Sequence, residues 1–191
     1  AAHARGIAMH LDGARIWNAD IASGDSFKDI GSHFDTVSVC FSKGLGAPVG
    51  SMMLSTKERV LEATRWRKRY GAGMRQIGIL AAAVDYALTH NIARLADDHH
   101  RAQVIAQACA AVSSELIDPA LAQTNIVAID VSKSRYSAGE LVGQLKEEGI
   151  LAGAMGSKLL RLVTHMDFDV LQLEKVIKVL PALLKSSLVA K

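Results

Sequence analysis

Ser38-Val39-Cys40-Phe41-Ser42-Lys43-Gly44-Leu45-Gly46-Ala47-Pro48-Val49-Gly50 is the stretch whose reading decides the fold. An apolar, β-branched run stops at one lysine. Glycine and proline follow, and a second short apolar run, Ser51-Met52-Met53-Leu54, comes next. The pattern reads as strand, lysine, tight glycine loop, strand. Lysines are mostly surface groups, so Lys43 reads as an amine beside a turn. The end of a buried strand also suits an amine withdrawn from water and poised to form an imine. A dinucleotide loop is rejected, because it needs a helix directly after its glycines to meet the pyrophosphate. Here Pro48 and a strand-like run stand in that place.

Upstream, residues 7–11 read as a short buried strand and a helix begins near Ile16-Trp17. Asp12 then ends a strand just before a helix, which is where parallel α/β sheets bind ligands. The same place suits a helix N-cap. Arg15, three residues on, faces either the same crevice or solvent. Residues 27–34 are a short helix or turn, and residues 36–41 are the strand that delivers Lys43. Downstream, a helix opens at Thr56 and runs to about Tyr70. A loop, Gly71-Ala72-Gly73-Met74-Arg75-Gln76, carries one arginine, and residues 77–90 are helical. Asn91 is expected to cap a further helix from Ile92 to about Leu116.

Helical periodicity replaces buried strands from here, which places a domain boundary near residue 92. Residues 1–92 and 93–191 are the two expected domains. In the second, residues 125–131 form a strand. Ser137-Ala138-Gly139-Glu140 is a capping box for a helix that Gly149 closes. Residues 150–154 and 158–164 are strands, and a last helix spans about 169–186 with Pro181 as a kink. The order α-β-α-β-β-α describes a small α+β domain.

Half of the 191 residues are hydrophobic and 21% are charged, which places the chain with folded α/β proteins rather than disordered ones. A net charge of +3, with only Arg65-Trp66-Arg67-Lys68-Arg69 locally basic, argues against a nucleic-acid partner. Cys40 and Cys109 form no disulfide framework, so a reducing compartment is expected. No apolar run reaches membrane-spanning length and no targeting pattern is present. No membrane association and a cytoplasmic location are the resulting expectations. The chain opens Ala1-Ala2-His3-Ala4-Arg5-Gly6 and runs straight into an apolar strand, as a C-terminal fragment entered inside a domain would.

Metal and serine chemistry find little support. His99 and His100 are adjacent, and so point about 100° apart on a helix. His165 and Asp167 lack a third ligand, so no metal is expected. Ser42 and Ser51 have no nucleophile elbow. Asp12, Lys43 and the arginines Arg15, Arg75 and Arg161 remain. A carboxylate with an imine-forming lysine is what pyridoxal phosphate needs, the lysine for the aldehyde and the aspartate for the pyridine nitrogen. Arginine forks suit a phosphate or a substrate carboxylate.

Four segments carry a resemblance to a known family. His10-Leu11-Asp12-Gly13-Ala14-Arg15 with Trp17-Asn18-Ala19 resembles the aspartate segment of the threonine aldolases. Ser42 through Gly50 is similar to their cofactor-lysine segment. Arg67-Lys68 through Gly73-Met74-Arg75-Gln76 resembles their glycine-rich loop, and Leu160-Arg161-Leu162-Val163-Thr164-His165 their C-terminal arginine strand. The resemblance implies an α/β chain. It would be the C-terminal part of a pyridoxal-phosphate fold type I large domain, followed by a small α+β domain. It implies cleavage of L-threonine or L-allo-threonine to glycine and acetaldehyde. Lys43 would be the Schiff-base lysine and Asp12 the partner of the pyridine nitrogen. Arg15 would lie against the cofactor ring and substrate, and Arg161 would hold the substrate carboxylate. Arg75, with Lys68 near it, would reach a neighbouring subunit's cofactor phosphate in a homodimer or homotetramer with shared sites. The family's N-terminal segments, with a phosphate loop and a stacking histidine, have no counterpart here, so the fragment alone is expected to be inactive. Two other readings remain: a fold type I lyase for another β-hydroxy amino acid, and a non-catalytic remnant that only associates with full-length subunits.

Overall fold

The structure is a computed structural model that describes residues 1–189. It divides into two compact units, Ala1–Leu95 and Ala96–Lys191. The division falls three residues beyond the boundary expected at residue 92.

The first unit is built on a three-stranded sheet, β1 (His10–Gly13), β2 (Thr36–Cys40) and β3 (Ser51–Leu54), in the order β1-β2-β3. β1 and β2 are parallel and are joined through two short helices, α1 (Ile16–Ser23) and α2 (Phe27–Ser32). β3 returns antiparallel to β2, directly after the lysine loop. Alternation along β2 explains its placement. Val37 and Val39, with Phe41 beyond the strand end, are buried, whereas Thr36, Ser38 and Cys40 are half-buried on the other face. The buried side packs with Ile16, Leu45, Ala87 and Leu95. Two further helices complete the unit, α3 (Lys57–Arg69), with Thr56 at its N-cap, and α4 (Gly78–His90).

Two local expectations are corrected. β1 begins at His10 rather than near residue 7, so Asp12 lies inside the strand, opposite Ser38. The cause is Asp35: its carboxylate accepts the Met9 N–H at 2.8 Å, and the Met9 carbonyl accepts the N–H of Asp35, also at 2.8 Å. That clamp sets the register, and the ladder starts at His10 opposite Thr36. Asn91 does not open a helix. It caps the C terminus of α4, its N–H donating to the Ala87 carbonyl at 2.9 Å, and the next helix begins only at Leu95.

In the second unit the order is α5 (Leu95–Ala110), β4 (Ile126–Asp130), α6 (Ala138–Glu147), β5 (Gly153–Met155), β6 (Leu159–Val163) and α7 (Val170–Ser187). The first turn residue of α5, Leu95, belongs to the preceding unit. The strands form an antiparallel sheet in the order β4-β6-β5. α5 ends at Ala110, short of the expected residue 116, and a 3-10 turn follows at Pro119–Leu121. One face of the sheet meets the helices through fully buried Val127, Ile129 and Leu160, against Leu141, Leu180 and Leu184. Both halves of the capping box at Ser137 form, the Glu140 carboxylate accepting the Ser137 N–H at 2.7 Å and Ser137 Oγ accepting the Glu140 N–H at 3.3 Å. Asp169 and Gln172 make a second box at the start of α7, which runs on through Pro181.

Candidate active site

β1 and β2 run parallel, so their carboxyl ends meet at one edge of the sheet. Asp12 is the penultimate residue of β1, and Lys43 follows the end of β2 by three residues. Arg15 stands two residues beyond β1, at the N-cap of α1, and is half-buried. The structure thus brings Asp12, Arg15 and Lys43 to the same edge of the first unit. This is the position at which parallel α/β sheets bind ligands.

On the sheet face opposite the core stand His10 and Asp12 from β1, and Thr36, Ser38 and Cys40 from β2. His10 Nδ1 is 2.7 Å from Thr36 Oγ1. Asp12 lies directly across from Ser38. One carboxylate oxygen of Asp12, Oδ1, accepts the Ala14 N–H at 3.1 Å. Asp12 therefore makes a turn of its own rather than capping α1, whose N-cap is Arg15. Its second oxygen has no hydrogen bond among the described residues.

Lys43 is exposed on a loop whose backbone is closely tied. Phe41 N–H donates to the Gly50 carbonyl at 3.0 Å, Ala47 N–H to the Phe41 carbonyl at 3.1 Å, and Gly46 N–H to the Lys43 carbonyl at 2.9 Å. Gly46 has φ +71°, a left-handed conformation that suits glycine. At Gly44 space is short: a Cβ there would stand 2.8 Å from Leu95 Cδ2, and that side chain would have to shift.

The other expected residues lie elsewhere. Arg75 is exposed in the loop after α3, next to Gln76, which has φ +48°. Lys68 lies along that loop, and a Cβ on Gly73 would come within 3.1 Å of its Cδ. Arg161 is in the second unit, half-buried at the centre of β6, paired with Ala128 on one side and Gly153 on the other.

Several residues support the edge through contacts that the sequence pattern did not show. Trp17 Nε1–H donates to the Cys40 carbonyl at 2.9 Å, holding the end of β2. Asn18 is buried with its amide beside Gly44. The Asn91 side chain reaches across to the lysine loop. All three act through contacts between segments distant in sequence, which spacing does not reveal.

A lysine, a carboxylate and an arginine at the strand ends of an α/β unit are the groups with which such an edge could hold an aldehyde cofactor. The comparisons specify the family. The beta-eliminating lyase family matches residues 1–134, and the chain belongs to that family. It is 41% identical over 172 residues to the low specificity L-threonine aldolase of Escherichia coli K12, covering 90% of this chain and 50% of that protein. It is 39% identical over 161 residues to low-specificity L-threonine aldolase 1 of Arabidopsis thaliana, covering 84% and 45%. The solved threonine aldolase of Leishmania major superposes with a TM-score of 0.75 at 18% identity, over 96% of this chain and 54% of that one. The chain therefore spans about half the length of the relatives it matches. The fold is that of the fold type I pyridoxal-phosphate enzymes, and pyridoxal phosphate is the cofactor of this family.

The residues present suit that group. The pyridinium N–H needs a carboxylate oxygen not already taken by the backbone, and the second oxygen of Asp12 is one. A flat ring needs a floor of small side chains, and Ser38 opposite Asp12, with Cys40 and Ser42 beyond it, supplies one. The aldehyde needs an accessible amine, and Lys43 is exposed.

Proposed function

We propose that the protein carrying this chain is a low-specificity threonine aldolase, a carbon–carbon lyase. It would cleave L-threonine and L-allo-threonine to glycine and acetaldehyde. The observation that carries the reading is the arrival of Asp12 and Lys43 at one edge of a parallel strand pair. The relatives named for this activity, at about 40% identity, support the choice of substrate.

In this reading Lys43 would be the point of covalent attachment of pyridoxal phosphate, its exposed amine standing free to reach the aldehyde. Bound pyridoxal phosphate supplies an electron sink for the electrons of the broken Cα–Cβ bond. Asp12 would accept a hydrogen bond from the ring nitrogen through its second oxygen and so keep the proton there. The Ala14 N–H, bonded to Oδ1, fixes the carboxylate's orientation. Arg15 would lie against ring and substrate. Arg161 is assigned to the substrate carboxylate, which its two-pronged guanidinium would hold so as to orient the scissile bond.

Arg75 and Lys68 are assigned to a neighbouring copy's cofactor phosphate, in a homo-oligomer. Support comes from the surface around them: Trp66, Tyr70, Met74, Ile77, Ile79 and Tyr86 are all exposed, with Tyr70 at 81% and Ile79 at 83%. So much apolar surface along α3 and α4 suits a partner face.

The test is product analysis. The protein carrying this chain, incubated with pyridoxal phosphate and L-threonine, L-allo-threonine, L-serine or phenylserine, should release glycine and acetaldehyde from the first two. Turnover of serine or phenylserine alone would assign it to another lyase of the family.

A further inference from the structure

The loop that presents Lys43 is seated on the junction between α4 and α5. Leu45, two residues after the lysine, is fully buried. Its carbonyl accepts a hydrogen bond from Asn91 Nδ2 at 2.7 Å. Asn91 is itself fixed as the cap of α4, through its own N–H to Ala87. Leu95, also fully buried, closes against Gly44 so tightly that a Cβ there would come within 2.8 Å. The backbone of the turn from Lys43 to Gly46 is thus held at Leu45 by the side chain of a residue 46 positions away in sequence.

We infer that Asn91 is a positioning residue for the Lys43 amine, a role that rests on Lys43 being the cofactor's attachment point. The physical argument concerns the Leu45 carbonyl. A buried backbone carbonyl without a partner costs the full loss of its hydration. Asn91 supplies its donor, so the turn is stable only in the orientation that keeps this bond. That orientation fixes the direction in which Lys43 leaves the loop, relative to Asp12 on the next strand. A misplacement of about 1 Å in a reacting group lowers a rate by on the order of a hundredfold. Asn91 touches neither cofactor nor substrate, and acts through the turn.

Asn91→Asp tests this, since it keeps the size, removes the donor and sets one acceptor against another. Asn91→Ala is the second variant. Two readouts are taken on the protein carrying this chain. The first is backbone amide exchange at Gly46 and Ala47 in the cofactor-free protein. It should quicken by on the order of tenfold in both variants, the usual effect of losing one buried hydrogen bond. The second is the rate at which borohydride traps pyridoxal phosphate on the Lys43 peptide, read by mass. It should fall by a similar factor at pH 8. In Asn91→Asp it should recover as the pH is lowered and the introduced carboxyl regains a proton to donate. Wild-type exchange and wild-type trapping in the variants overturn the inference. If neither variant folds, wild-type exchange decides. Gly46 should exchange at least about fivefold more slowly than Gly71, whose N–H closes a similar turn at 3.1 Å onto the Lys68 carbonyl. Equal exchange overturns it. Lys43→Ala is run in parallel. Covalent trapping that survives this change refutes the attachment-point reading itself. Loss of trapping there, with no effect of Asn91, refutes only the positioning role.

Discussion

Gly13→Ala is the sharpest test of the β1–β2 edge. Gly13 is buried and pairs with Val39, one residue after Asp12. A Cβ built there would stand 2.7 Å from the Ser38 carbonyl oxygen and 3.4 Å from Val37 Cγ1. An ordinary carbon–oxygen contact is about 3.3–3.6 Å, so the strands must part by on the order of half an ångström or more. The obstacle is backbone, and no rotamer change relieves it. Overpacking of this kind costs about 1–3 kcal/mol. Alanine regains about 0.5–1 kcal/mol over glycine in the extended chain. From mid-range values, about 2 and about 0.75 kcal/mol, the net expectation is a loss of about 1 kcal/mol. With a urea dependence of about 1–3 kcal/mol per molar, that lowers the unfolding midpoint by a few tenths of a molar or more. Because Asp12 is the adjacent residue, the variant should also bind pyridoxal phosphate more weakly. The control is Gly143→Ala, at an exposed position on α6 with nothing within 4 Å, which should stabilise by about 0.5–1 kcal/mol. A Gly13→Ala protein as stable as its parent, with unaltered cofactor affinity, would refute the close approach of the two strands.

Other regions give equally definite expectations. Asp35 is held below the usual carboxylate range, first by the Met9 N–H, then by His3 and by Arg59, whose guanidinium is 2.9 Å away. Its contribution to stability is complete above the ordinary aspartate value of about 3.9 and is lost as the pH falls through the lower folded value. Thermal melts below about pH 4 should show this acid loss, and Asp35→Asn should flatten it. Burial pushes the Cys109 thiol up to about 12, so a thiol reagent at pH 8 should label half-buried Cys40 and reach Cys109 only on unfolding. Leu180→Ala, at a fully buried position of α7, should cost about 2–5 kcal/mol in denaturant unfolding. Ser137→Ala removes the box that opens α6 and should cost about 1 kcal/mol by the same measurement.

Much of the fold was legible because its determinants are local. The alternation Val37, Val39, Phe41 marks β2, glycine and Pro48 mark the loop, and Ser137 with Glu140 marks the start of α6. Asp12, Arg15 and Lys43 were legible as strand-end residues, and the parallel pairing of β1 and β2 brings them to one edge. What escaped depends on contacts across the chain. The start of β1 is set by Asp35, 26 residues away from its partner Met9. Asn91 has the composition of a helix opener, yet its side chain is committed to Leu45 and its N–H to Ala87. The expected helix from residue 92 starts late because residues 91–94 form that turn. Trp17 was legible only as part of a resemblance, and its bond to Cys40 gives it a physical task.

The account stands most directly on Lys43. In the protein carrying this chain, purified with pyridoxal phosphate and reduced with borohydride, the cofactor mass should be found on the peptide containing Lys43. Lys43→Ala should lose the yellow colour, the mass addition and threonine cleavage together, while its far-UV spectrum and melting temperature stay close to the parent's. A coloured Lys43→Ala protein that still carries reducible cofactor on another lysine and cleaves threonine would contradict the account.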